Sequence, residues 1–263
     1  MLLENKNAVF YGGGGPIGGA VARVFAREGA RVFLTGRTRG TLDQVAADVS
    51  ASGGEAEVAE VDALDEAAVD AHADAVAQKA GRIDVSFNTI GHGDVHGVPL
   101  IEMPFEDFAR PITTAMRAQF LTARAAARHM VKQGSGVILA ITATTARLSL
   151  PQVGGTGVTF DAIESLCRQL ATELGPQGVR VVWLQTTGIP EALKDTGQLG
   201  PDYGTGKPMT GEEHVAWMKG QTMLNRVTSL ADVANAAAFI ASDHAGAMTA
   251  SAVNLTCGAV PTR

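Results

Sequence analysis

Short apolar runs alternate with helically spaced apolar residues along almost the whole chain. Residues 7–11 (NAVFY), 31–35 (RVFLT), 55–63 (EAEVAEVDA), 83–87 (IDVSF), 136–142 (GVILAIT), 179–185 (VRVVWLQ) and 251–256 (SAVNLT) are rich in β-branched side chains and nearly continuously apolar. Runs of this kind predict strands covered on both faces. After the first run, Ile17, Ala20, Val21, Val24 and Phe25 recur at the spacing of one helical face. Further helices are predicted over 41–50, 65–79, 105–132 (with Pro111 in the first turns), 158–175 and 231–241. In the helix over 158–175, Ile163, Leu166, Cys167, Leu170 and Leu174 fall on one side. Such regular alternation predicts an α/β fold: one Rossmann-type, doubly wound parallel sheet of about seven strands, with helices on both faces. No linker divides residues 1–263, so a single domain is expected. The stretch 187–212 is too long and too rich in Gly, Pro, Asp and Thr for an ordinary connection, and is expected to be a substrate loop or lid.

Composition narrows the function classes. The chain has 263 residues, 46% of them hydrophobic and 18% charged, which suits a large buried core. With 21 basic against 27 acidic residues the net charge is −6, and no basic run stands out, which argues against nucleic acid and anionic membranes as partners. No stretch approaches the length of a membrane span, and the first residues do not read as a secretion signal. Only two cysteines, Cys167 and Cys257, are present, so neither a disulfide framework nor a metal site is expected, and a cytoplasmic location is.

The first strand runs straight into Y-G-G-G-G-P-I-G, residues 11–18, and then into a helix. Within it, Gly13, Gly15 and Gly18 match G-x-G-x-x-G, a pattern whose missing Cβ atoms let backbone amides approach a pyrophosphate at a helix N-terminus. Pro16 fits the first helical turn but subtracts one amide. At the end of the second strand stands Arg37 where an acidic residue would hold a ribose 2′-hydroxyl, and Arg39 follows. A guanidinium there suits a 2′-phosphate and favours NADP(H) over NAD(H).

Beside this loop, "EVDALDE" (60–66), "DVSFNTIG" (84–91), "RQLATELGPQGVRVV" (168–182) and the segment 225–258 make nearly the whole chain resemble the short-chain dehydrogenase/reductase family, in particular its enoyl reductase and ketoreductase branch. The resemblance implies a cofactor site built from Gly12, Gly13, Gly15, Ile17, Gly18, Arg37, Asp62 (facing the adenine), Asn88 and Gly91. It also implies a homodimer or homotetramer paired through the helices over 105–132 and 158–175. The family's acid–base residues are absent. Its Tyr and Lys positions fall on Thr156 and Phe160, its Ser position on Ala143 beside Thr142 and Thr144, and its Asn position near Thr114 or Ala115. No Tyr or Lys lies between 142 and 175.

Replacement chemistry has few candidates. His92, Asp94 and His96 alternate in the loop after the fourth strand, and a histidine there is a candidate proton donor. The hydroxyls of Thr142 and Thr156 could orient a carbonyl, although a Thr is far too weak an acid to work alone. Arg147 is a candidate anion binder, Tyr203 a residue that could reach the pocket from the lid, and Tyr11 is expected to pack on the first helix. The expected function is therefore an NADP(H)-dependent oxidoreductase, transferring hydride to a carbonyl or activated C=C of a small molecule with a non-standard proton donor. A nucleotide-binding or partner subunit without chemistry stays open as the other reading.

Overall fold

Five short runs of largely buried, mostly β-branched and aromatic residues, flanked by two partly buried edge runs, pair side by side because their apolar faces cannot be left to water. The computed structural model describes residues 1–194 and 207–261. In it β1 (Asn7–Tyr11), β2 (Arg31–Gly36), β3 (Glu55–Glu60), β4 (Val85–Asn88), β5 (Gly136–Ala143), β6 (Val179–Thr186) and β7 (Ser251–Leu255) form one parallel sheet in the order β3-β2-β1-β4-β5-β6-β7. The order reverses between β1 and β4, and a crevice opens beyond the carboxyl ends of the strands at such a reversal.

The helices are α1 (Pro16–Arg27), α2 (Arg39–Ala51), α3 (Glu66–Ala80), α4 (Phe105–Gln133), α5 (Thr156–Leu174), α6 (Pro190–Leu193), α7 (Gly211–Gly220) and α8 (Leu230–Ala241). One core layer joins the sheet to α1, α2 and α8, with Phe10 stacked edge-on against Phe25 at 5.3 Å. The other joins it to α3, α4 and α5. Strand alternation decides which side chain goes where. Phe10 points to α1, so Tyr11 points the opposite way, into the layer of α3 and α4, where its ring meets His72 at 6.3 Å. The expectation that Tyr11 packs on α1 is thus corrected by the parity of β1. Burial also raises the Tyr11 pKa, and nearby Asp70 adds to the shift, so the phenol stays protonated.

Six predicted strands and the predicted helices sit within a residue or two of their expected ends, and the predicted strand over 55–63 stops three residues early, at Glu60. α6 and α7, which the sequence reading did not separate from the 187–212 stretch and its continuation, are additions. The short α6 lies inside that stretch, and α7 begins at its end, fixed by a capping box: Thr210 accepts from the Glu213 amide at 3.2 Å, while Glu213 accepts from the Thr210 amide at 2.7 Å. Tyr203 and the middle of the predicted lid lie outside the described residues.

Candidate functional site

A cleft of about 690 Å³ follows the carboxyl ends of the strands, from the glycine turn after β1 to the face of α7. Its first wall depends on the turn. Gly12 takes φ +84°, a region that favours glycine. A Cβ on Gly18 would lie 2.3 Å from the Gly12 carbonyl oxygen and 2.7 Å from Thr89 Oγ1, so only glycine lets α1 begin this close to the strand. The amides of Gly12 and Gly13 both donate to the Thr35 carbonyl at 2.9 Å, and that of Gly15 donates to the Gly12 carbonyl at 3.0 Å. Among the described residues this leaves the amides of Gly14, Ile17 and Gly18 without a main-chain acceptor at the start of α1, the arrangement that suits a phosphate. Pro16 occupies the first turn, as expected, with Gly15 as the cap.

Gly12, Gly15 and Ile17 line the cleft, whereas Gly13 is turned against Leu34 and Gly18 is buried beneath the turn. Asn88 is also behind the wall: it donates to Thr122 Oγ1 at 3.0 Å and accepts from the Ile90 amide at 3.1 Å, which fixes the strand end that carries Thr89, Ile90 and Gly91 into the cleft. Thr89, which sequence reasoning passed over, donates to the Tyr11 carbonyl at 3.1 Å and ties β4 to the glycine turn.

At the far end of this wall, Arg37 and Asp62 line the cleft and are both exposed. Arg39 is held by Asp43 at 2.8 Å, while Arg37 has no ion pair among the described residues. Asp62 accepts from the Leu64 amide at 3.0 Å, which holds its loop in place.

His92, Asp94, His96, Thr142 and Thr156 meet at the opposite end. Thr156, the first residue of α5, donates to Asp94 Oδ1 at 3.0 Å, and His96 Nε2 stands 2.9 Å from the same hydroxyl. Because the Thr156 proton goes to Asp94, His96 Nε2 is the donor in its own contact. His92 lies edge-on to Phe160, with ring centres 6.0 Å apart. Burial lowers the pKa of both histidines, with Asp94 opposing the shift. His214 and Trp217, on α7, close the cleft from above, and burial lowers the His214 pKa as well, with His96 adding to it. No sequence signal pointed to these two until α7 was in place. Among the described residues no group of three or more His, Cys, Asp or Glu is placed to hold a metal ion.

One buried carboxylate organises the floor. Glu164 is fully buried and receives hydrogen bonds from Thr142 at 3.3 Å, Gln185 at 3.2 Å and Arg147. Arg147 is also 3.5 Å from Asp161. Its guanidinium is therefore neutralised outside the cleft lining, which corrects its reading as an anion binder. Glu164 was missed although its signal was visible: it stands four residues after Phe160 on the stripe that buries Ile163 and Cys167.

Comparison with known proteins follows the same lines. The family described as enoyl-(acyl carrier protein) reductase matches residues 15–259. The uncharacterized oxidoreductase YxbG of Bacillus subtilis is 30% identical over 247 residues, 94% of this chain and 88% of that protein. The 7alpha-hydroxysteroid dehydrogenase of Clostridium sardiniense is 30% identical over 252 residues, 94% of this chain and 90% of that protein. A solved 7alpha-hydroxysteroid dehydrogenase, complexed with NADH and 7-oxo glycochenodeoxycholic acid, superposes with a TM-score of 0.86 at 28% identity, covering 99% of this chain and 96% of that one.

Proposed function

The chain belongs to the short-chain dehydrogenase/reductase family, and from that premise we propose that it is an NADP(H)-dependent oxidoreductase acting on a carbonyl or activated double bond of a small molecule. The observation that carries the reading is continuity: one cleft joins the glycine turn to the cluster of His92, His96, Thr142 and Thr156. The cradle fits a dinucleotide, since the Gly12 and Gly18 positions tolerate no side chain and three amides at the start of α1 await an acceptor.

When bound, the nicotinamide supplies or accepts a hydride. The chain's own residues do the rest. The amides of Gly14, Ile17 and Gly18 hold the pyrophosphate, aided by the positive end of α1. Arg37 pairs with a 2′-phosphate and Asp62 faces the adenine. The Nε2–H of His96 donates a hydrogen bond to Thr156 Oγ1, and that hydroxyl can hydrogen-bond a substrate oxygen if it turns from Asp94. Thr142 is fixed by Glu164 at the rim where the family carries its Ser. General acid–base help is worth about 10²–10⁴ in rate, so a weaker proton path slows this chemistry without abolishing it. The stretch 187–212 serves as the lid. Exposed Phe120 and Val158 on α4 and α5 provide the faces for a homodimer or homotetramer in the cytoplasm.

The test is a titration of the protein with NADPH and NADH, followed by a panel of ketones and enones. Binding with turnover supports the reading. Tight NADPH binding with no turnover of any acceptor would favour a nucleotide-binding subunit instead.

A further inference from the structure

The reacting end of the cleft is built for a positive charge. Asp94 is the one charged residue lining it among the described residues, since Arg37 and Asp62 lie at the adenosine end. Among the described residues no lysine or arginine pairs with Asp94, which accepts a hydrogen bond from the neutral hydroxyl of Thr156. Arg110 packs its side chain against Gly93 but gives its guanidinium to Asp107. Phe160 and Trp217 put aromatic rings on the wall, and ring faces attract cations. His92, His96 and His214 are all lowered by burial, so near neutral pH they add no opposing charge. The sequence of 195–206 contains no lysine, arginine or histidine.

Two substitutions make the same point. The resemblance places a lysine at Phe160 and a tyrosine at Thr156. Losing the lysine removes an ammonium group from the site, and losing the tyrosine removes its acid. The proton left on Thr156 is already committed to Asp94. A ketone would suffer from all this. A substrate that arrives carrying its own proton and charge would not.

We infer that the preferred acceptor is an iminium ion, a protonated C=N compound with an apolar body, whose positive nitrogen is held by Asp94 between the rings of Phe160 and Trp217. The inference rests on the hydride-transfer reading and replaces its acceptor. In the forward step a C–H bond forms at the iminium carbon with the electron pair of the hydride. The C=N π pair becomes the nitrogen lone pair, and a reduced nicotinamide dinucleotide is oxidised by two electrons. No proton is consumed. In reverse, an amine is oxidised to the iminium.

The experiment uses the whole chain saturated with NADP⁺. Calorimetry compares 1,2,3,4-tetrahydroisoquinoline, a cation at neutral pH, with its neutral isostere 1-tetralol; turnover with NADPH then compares 3,4-dihydroisoquinoline with 1-tetralone. The amine is expected to bind at least tenfold tighter than the alcohol, and the imine to exceed the ketone in kcat/KM by a hundredfold or more. Asp94→Asn should erase the amine's advantage, and Phe160→Lys should do so by restoring a positive charge. Equal binding of amine and alcohol by the unaltered protein, with NADP⁺ bound, would overturn the inference while leaving the hydride-transfer reading standing. Failure to bind either nicotinamide dinucleotide would overturn that reading and the inference with it.

Discussion

Replacing Gly18 by alanine puts the glycine turn under the sharpest strain available. The new Cβ would lie 2.3 Å from the Gly12 carbonyl oxygen and 2.7 Å from Thr89 Oγ1, where contacts between carbon and oxygen settle near 3.4 Å or beyond. Both neighbours are anchored, the first as backbone and the second by its bond to the Tyr11 carbonyl. The start of α1 must therefore move by roughly 1 Å, an overpacking that costs about 2 kcal/mol. For a domain of this size that lowers Tm by about 4–8 °C. The same shift carries the Gly18 amide away from a phosphate. Losing one hydrogen bond to a charged group costs about 1.5–3 kcal/mol, or roughly 10–100-fold in affinity. The control is Gly40→Ala in the first turn of α2, where nothing lies within 4 Å of the added carbon. Thermal melts and fluorescence titration with NADPH read both effects. A Gly18→Ala protein that melts and binds like the Gly40→Ala control would refute the claim that close approach at Gly18 shapes the site.

Other consequences can be checked as directly. Arg37→Ala should weaken NADPH binding about tenfold and leave NADH unchanged, because one exposed charge-assisted pair is worth about 1.4 kcal/mol; equal loss for both coenzymes would remove Arg37 from its role. Glu164→Ala removes the acceptor of Thr142, Gln185 and Arg147 from a fully buried position, and should cost about 3 kcal/mol in urea denaturation; a loss under about 1 kcal/mol would show the network to be dispensable. Burial lowers the His72 pKa to about 4, below its unfolded value near 6.5. The stability it contributes as a neutral group is thus whole above about pH 6.5 and declines as pH falls toward 4, by about 3 kcal/mol in all. His72→Leu should lack that part of the acid decline, and denaturation curves at pH 7 and 4.5 that run parallel for the two proteins would contradict it.

Much of this was written in the chain's periodicities. The strands were legible because a sheet covered on both faces needs unbroken apolar runs, and the helices because α1 and α5 carry one-sided apolar spacing. α6 and α7 were not, since they arise inside or beside a stretch dominated by Gly, Pro and Thr, where apolar spacing is silent; the Thr210…Glu213 cap was the one local cue. In the site, the glycine run marked the right turn. Structure puts the steric demand on Gly12 and Gly18, while Gly13 and Gly15 serve the turn through their amides. The direction of Tyr11 followed from strand parity, which a search for chemistry overlooked. The meeting of His96, Asp94 and Thr156 needed the distance between a loop after β4 and the start of α5, which no spacing in the sequence encodes.

The most direct measurement is a calorimetric titration of the unaltered protein with NADPH and, separately, NADH. The account predicts saturable binding of one dinucleotide per chain, tighter for NADPH. Absence of saturable heat with either coenzyme would contradict it.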